Sequence, residues 1–175
     1  MIEKYLTLQD TISEYIGRII AWLPLILVGT LLYEVISRYF FNLPTIWSHE
    51  LSTMLFGAFA ILSGSYTLRH RGHVRSEVIY MLFPKKVQRF FDILVHVFGI
   101  AILLIFLKLA IGFAADSWAM KEVSSRSIWQ PPLYYIKTVI PVAVFLLILQ
   151  SLAELVRAIL RFLNYEFIDS RQSEE

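Results

Sequence analysis

Four long runs of apolar residues follow one another along the chain. With their flanking residues, each approaches or exceeds the roughly 20 residues that an α-helix needs to cross about 30 Å of hydrocarbon. Because the runs are continuous rather than alternating, they do not fit the strands of a membrane barrel. The pattern therefore predicts an all-α, polytopic membrane protein with a single four-helix transmembrane domain. The spans are predicted at about residues 17–38, 47–68, 90–115 and 133–157.

The composition agrees with this prediction and excludes several classes of protein. Of the 175 residues, 57% are hydrophobic and 17% are charged, whereas a soluble domain has about 45–50% apolar and about 25% charged residues. A soluble globule, a disordered chain and a soluble catalytic domain are thereby excluded. The absence of cysteine excludes a thiol nucleophile and a cysteine-based metal site. The net charge is only +2, and the basic residues are distributed as expected for a protein at a membrane surface. We therefore expect no nucleic-acid partner.

The basic residues predict the orientation of the chain. Eleven Lys and Arg residues fall on the side shared by both termini and the loop between spans 2 and 3, against five on the other side. The positive-inside rule therefore places both termini in the cytoplasm. The first eighteen residues include three acidic residues, and no cleavage pattern follows the first run. We therefore interpret span 1 as a retained membrane anchor.

The cytoplasmic loop between spans 2 and 3 has a pattern of its own. Val74, Val78 and Met81 recur near a helical spacing, which predicts a short helix in the membrane interface. The basic residues at the start of this loop are expected to follow the positive-inside rule and to contact anionic membrane lipids. These residues are Arg69, Arg71, His73 and Arg75.

Two charges, Glu34 and Lys108, lie within predicted spans, both near the outer interface. A charge left at mid-bilayer costs about 2.5–3.5 kcal/mol, and an ion pair would relieve that cost. Glu34 could therefore pair with Lys108, or with Lys137, which enters the membrane at a similar height. The alternative is that each side chain reaches water separately.

The spans lack the parts from which ion-coupled carriers build their sites. No acidic residue lies at the middle of a span, and no span is broken by paired Gly and Pro around a polar centre. A free-standing carrier is therefore disfavoured. A haem- or quinone-associated membrane anchor remains an alternative, because His70 and His96 could lie at one depth as haem ligands. His70 lies in a polar turn leaving the membrane, however, and we expect neither a metal site nor a cofactor.

The segments that flank spans 1, 2 and 4 carry a recognisable set of short motifs. In order along the chain they read RYFFN at 38–42, WSHEL at 47–51, RHRGHV at 69–74 and WQPP at 129–132. As a set, these motifs resemble those of the small, Q-type membrane subunit of tripartite ATP-independent periplasmic (TRAP) transporters. The resemblance covers nearly the whole chain. The sequence departs from the family pattern at His49, where a second carboxylate often precedes Glu50, and at Glu77, where Asp is usual.

The resemblance implies a non-catalytic subunit. In that family a large multi-span subunit carries the substrate and sodium sites, and a periplasmic binding protein delivers the substrate, usually an organic acid. The small subunit packs against the large one and helps to form the periplasmic docking surface. This chain is therefore expected in a bacterial inner membrane, with these two proteins and membrane lipids as its partners.

Arg38, Trp47 and Glu50 are the residues that we expect to form a structural knot at the outer face. Arg38 can offer a planar fork to a carboxylate, and Trp47 can anchor at the level of the headgroups. The three could present a surface to a partner, or they could do no more than fix the turn between spans 1 and 2.

Overall fold

The computed structural model describes residues 2–69 and 83–163, with side chains from residue 4 onward. The short interfacial helix predicted around Val74–Leu82 lies outside the described residues. Four helical stretches are long and apolar enough to cross a membrane, which confirms the predicted all-α class and the number of spans. The described residues form five helices: α1 Ile2–Ile20, α2 Leu23–Phe40, α3 Ser48–Arg69, α4 Lys85–Ala119 and α5 Leu133–Phe162.

The first span is preceded by a separate helix, α1, which was not predicted from the sequence. A turn at Ala21 and Trp22 separates α1 from α2. The chain tightens there, because the Trp22 N–H bonds to the carbonyl of Ile19, three residues back, at 3.2 Å. Pro24 follows in the first turn of α2, where its missing N–H costs no helical hydrogen bond. The helix can therefore restart in a new direction at this point.

The four spanning helices form an open row rather than a closed bundle. The main packing contacts run from α2 to α3, from α3 to α5, and from α5 to α4. Residues 41–47 and 120–132 lie at the same end of the spanning helices, and we call this end of the helices the loop end. Helix α1 lies at the other end, which we call the α1 end. The two outer helices of the row, α2 and α4, leave most of their apolar side chains exposed.

The apolar core is a narrow seam along α5. The buried apolar residues of α5 are Ala143, Val144, Ile148, Ala153 and Ala158. Small side chains let helices approach closely, which is how membrane helices gain packing energy in the absence of water. Helix α2, by contrast, has no buried residue.

A cluster of buried polar side chains lies at the α1 end. The Arg157 side chain is 1% exposed and donates to Asp10 of α1 at 2.5 Å and to Glu154 at 2.7 Å. Gln150 is fully buried and accepts a hydrogen bond from Ser13 Oγ at 2.7 Å. Buried charges are tolerated when they are paired and hydrogen-bonded, as they are here. These buried polar contacts therefore join helix α1 to α5.

Helix α1 lies across the row. Its first part contacts α5: Tyr5 donates to the carbonyl of Leu149, and Ser13 donates to Gln150. Tyr5 and Ser13 are about 12 Å apart along α1, yet they reach neighbouring residues of α5. Further along, α1 contacts α3, where Gly17 lies against the ring of Tyr66. A helix that touches two neighbouring spans in succession runs transverse to both.

A candidate docking surface at the loop end

Glu34 holds the segment between α2 and α3 in place. One of its carboxylate oxygens accepts hydrogen bonds from Arg38, including one from Nε at 2.8 Å. The other accepts from the backbone N–H of Thr45 at 3.0 Å and from the Thr45 hydroxyl. Arg38 is one helical turn from Glu34, whereas Thr45 lies eleven residues further along the chain. Glu34 thus ties the returning segment to the end of α2.

Glu50 holds the second loop in place, in a separate cluster. Glu50 is 6% exposed at the start of α3, and its two oxygens accept from the hydroxyls of Ser124 and Ser127, the latter at 2.7 Å. Ser124 Oγ also accepts from the backbone N–H of Arg126 at 3.2 Å. Hydrogen bonds to an ionised acceptor are about twice as strong as neutral ones. A single carboxylate therefore fixes a loop that lies more than 70 residues away in sequence.

The loop from residue 120 to 132 is folded rather than extended. Lys121 has a φ of 46°, and the N–H of Glu122 returns to the carbonyl of Ser117 at 3.0 Å, which ends α4 in the manner of a Schellman motif. An isolated antiparallel bridge joins Val123 to Pro132. Lys137 of α5 donates to Glu122 and holds the pKa of that carboxyl below its usual value. The loop is therefore fastened at its base as well as at Glu50.

Aromatic side chains complete the loop end. Tyr33 and Trp47 stack with their ring centres 5.7 Å apart, and Trp118 donates through Nε1 to Thr138 Oγ1 at 2.8 Å. At the tip of the 120–132 loop, by contrast, Ile128 is 87% exposed and Trp129 is 40% exposed. The fixed loop thus presents large apolar side chains outward, which is typical of an interaction surface.

A comparison with known families decides the class of the protein. The model of the tripartite ATP-independent periplasmic transporters, DctQ component, matches residues 27–161. The chain belongs to this family. It is therefore a TRAP transporter membrane component and a multi-pass inner-membrane protein, with four helices that can span the membrane.

A curated relative points in the same direction. The chain is similar to the sialic acid TRAP transporter permease protein SiaT of Haemophilus influenzae (strain 86-028NP), with 28% identity over 102 residues. The match covers 56% of this chain and 17% of SiaT. The chain therefore corresponds to a small part of that longer permease.

The three residues of the predicted knot all lie at the loop end of this TRAP component, but they form two clusters. Arg38 bonds to Glu34, and Trp47 stacks on Tyr33, so both belong to the segment between α2 and α3. Glu50 belongs to the other cluster, with Ser124 and Ser127. Whether these residues contact a partner stays a prediction.

The suggested pairing of Glu34 with Lys108 or Lys137 is wrong. Arg38 and Thr45 provide donors that are closer in sequence and already engage both oxygens of Glu34. Lys137 bonds instead to Glu122, and its Nζ lies 4.1 Å from the ring centre of Phe113. Lys108 is exposed on α4.

The basic residues at the α1 end divide between described and undescribed parts of the chain. Arg69 has a side chain only 3% exposed and pairs with Glu14 of α1. This corrects the expectation that Arg69 lies open to lipid headgroups: its guanidinium joins α3 to α1. Arg71, His73 and Arg75 lie outside the described residues, as does His70, and the family match does not favour the haem- or quinone-associated anchor.

The described part of the chain contains no group of three or more His, Asp or Glu side chains that could hold a metal ion. Its polar side chains instead form contacts between segments. Four of the partner residues were not identified from the sequence: Thr45, Ser124, Ser127 and Glu122. The charges at Glu122 and Lys137 were a usable signal, because they flank the WQPP segment that leads into α5.

Proposed function

We propose that this chain is the non-catalytic small permease subunit of a TRAP transporter. It packs against and stabilises a large transport subunit, helps to form the docking surface for a periplasmic substrate-binding protein, and supports sodium-coupled uptake of an organic acid. The sodium and substrate sites belong to the large subunit, and both termini of this chain are cytoplasmic. The observation that carries the proposal is the family match over residues 27–161, which extends from the first span into the fourth.

The docking role is supported by the fixed loop end. Glu34, Glu50 and Glu122 each tie one of the two loops to a helix. A surface whose loops are already fixed loses little conformational entropy when a partner binds. Ile128 and Trp129 offer apolar contact area on this surface.

The packing role is supported by the exposed face of α4. Lys108 lies on this face, and Ile105 and Ile111 beside it are 65% and 54% exposed. A charge among apolar side chains within a span is costly and marks a functional site by default. A carboxylate on a helix of the large subunit would satisfy Lys108, so we place the contact with that subunit on this face.

Co-expression with a large TRAP transport subunit tests the proposal. A tagged chain is expected to retain the untagged large subunit through purification. Vesicles are expected to accumulate an organic acid only when the large subunit and the binding protein are present and a sodium gradient is imposed. Uptake by vesicles that contain this chain alone would refute the proposal.

Lys108→Leu tests where the large subunit binds. This variant is expected to retain less large subunit, because the ion pair is lost while the apolar face is kept. Lys86→Gln is the matched control, since Lys86 is an exposed lysine near the start of the same helix and outside the apolar run. Equal retention by the two variants would place the contact elsewhere.

A further inference from the structure

Helix α1 has three faces with different chemistry. The face toward α3 and α5 is formed by residues that are at most 4% exposed, and most of them are polar. At 3.6 residues per turn these residues fall on one side of the helix. They are Leu6, Gln9, Asp10, Ser13 and Ile20.

The second face is apolar and lies beside the buried face, where the row of helices leaves most of it exposed. The residues of this face recur every three or four positions, as in an amphipathic helix. Three of them are strongly exposed: Leu8 at 60%, Tyr15 at 67% and Ile19 at 55%. The face also includes the half-buried Ile12 and Ile16, and Tyr5, whose hydroxyl reaches α5 at its edge. The side of α1 that a soluble protein would bury is therefore left uncovered.

The third face is polar and open. Thr7, Thr11 and Glu14 lie on it, together with Arg18, which pairs with Glu14 at 3.2 Å. A cavity of about 270 Å³ opens here between α1 and Arg69 of α3. This face suits contact with water, so the helix meets protein, an apolar medium and water on three different sides.

The position of α1 along the axes of the spanning helices matches the edge of a bilayer. Glu50 at the loop end and Arg69 at the α1 end are 19 residues apart on α3, or about 28 Å. The hydrocarbon core of a bilayer is about 30 Å thick. The two bands of ionic contacts therefore lie about one hydrocarbon thickness apart, and α1 lies at the second band.

The apolar face of α1 is continuous with the surface that the spans present to lipid. Two residues separate α1 from α2, and Trp22 between them is 67% exposed. Leu25 and Ile26 follow on α2 at 61% and 51% exposure. Trp and Tyr are favoured at the level of the headgroups. Trp22 and Tyr15 would lie at that level if α1 follows the membrane surface.

We infer that α1 lies along the membrane interface, with its apolar face in the phospholipid bilayer and its polar face in water. The buried contacts of Asp10, Ser13 and Arg157 fix the rotation of the helix, so that its apolar face meets lipid. The structure thus assigns α1 a lipid-binding surface of its own. The inference rests on the proposed function only in naming the leaflet, which is the cytoplasmic one in the proposed orientation.

The chain has no cysteine, so single cysteines can be introduced without further changes. Leu8→Cys and Ile19→Cys place a nitroxide label on the apolar face, and Thr11→Cys places the same label on the polar face. Each labelled full-length variant is reconstituted in nanodiscs of phosphatidylethanolamine and phosphatidylglycerol. Collision with oxygen, which concentrates in lipid, is then compared with collision with a water-soluble nickel chelate.

The labels at 8 and 19 are expected to collide severalfold more with oxygen than with the nickel chelate, and the label at 11 is expected to show the reverse. Preferential collision with the nickel chelate at 8 and 19 would overturn the inference. Low collision with both reagents at these positions would also overturn it, because protein would then cover the face. The experiment requires neither transport nor a partner, so its failure is distinct from failure of the proposed function.

Discussion

The strongest energetic prediction concerns Arg157, the largest fully buried side chain in the described part of the chain. Its guanidinium contacts Asp10 of α1 and Glu154 of α5. Arg157→Met keeps most of the side-chain volume but removes the charge that both carboxylates contact. Asp10→Asn keeps the shape of the side chain at position 10, removes its charge, and leaves the Arg157–Glu154 contact at 2.7 Å in place.

The two variants are expected to differ in the free energy of unfolding. Removing one member of a buried ion pair typically costs about 3–5 kcal/mol, because a charge remains in a poorly solvated site. Arg157→Met should reach this range, since the side chains of Asp10 and Glu154 are only 4% and 8% exposed. Asp10→Asn weakens one charge-assisted hydrogen bond and should cost about 1.5–3 kcal/mol.

Thermal unfolding in one detergent measures both effects. For a chain of this size, 1 kcal/mol corresponds to about 2–4 °C in Tm, so Arg157→Met should lower the Tm by about 6–20 °C. The double variant should lose less than the sum of the single losses, because the two groups interact directly. A loss below about 1 kcal/mol for Arg157→Met, or strict additivity, would refute the assignment of the network as the main attachment of α1.

Three further changes test other parts of the fold. Gly17→Ala should lower the free energy of unfolding by about 1–3 kcal/mol, because an added Cβ would clash with the Tyr66 ring. Gly112→Ala is the control: an added Cβ there has open space, so this variant should raise the free energy of unfolding by about 0.5–1 kcal/mol. Glu50→Gln should speed amide exchange in the 120–132 loop but leave α1 unchanged, and unchanged loop exchange would contradict the role of this carboxylate. The pKa of Glu122 is lowered, so its contact with its lysine partner should be fully formed above pH 4.5 and should be lost as the pH falls through the lowered pKa. Amide exchange in the loop should therefore become faster over that pH range. Glu122→Gln should abolish this pH dependence.

The spans could be predicted from the sequence because each membrane helix corresponds to one continuous apolar run. The predicted second span, about 47–68, agrees closely with α3, Ser48–Arg69. Helix α1 was missed because its apolar residues are interrupted by polar ones, which lowers the mean hydropathy of the segment. The spacing of Tyr5, Leu8, Ile12 and Tyr15 was nevertheless a signal for an amphipathic helix.

The contacts of the loop end were harder to predict because most of them join distant parts of the sequence. Glu50 was identified as important, but its partners Ser124 and Ser127 lie 74 and 77 residues away. For Glu34, the partners considered from the sequence were on other spans, whereas the structure pairs it with Arg38, one turn away on the same helix. An ion pair between helices also requires that the two helices be neighbours, and α2 and α4 lie at opposite ends of the row.

The placement of the buried charges bears on whether this subunit moves. Asp10 and Arg157 join α1 to α5 at one end, and Glu50 joins α3 to the 120–132 loop at the other. Sliding one helix against its neighbour by a single turn, about 5.4 Å, would separate the groups at both ends. Breaking the buried Asp10–Arg157 ion pair would cost about 3–5 kcal/mol, and each hydrogen bond lost by the Glu50 carboxylate would cost about 1.5–3 kcal/mol. The arrangement therefore favours a rigid companion, and distances between labels on α1 and on the 120–132 loop should stay constant through a transport cycle.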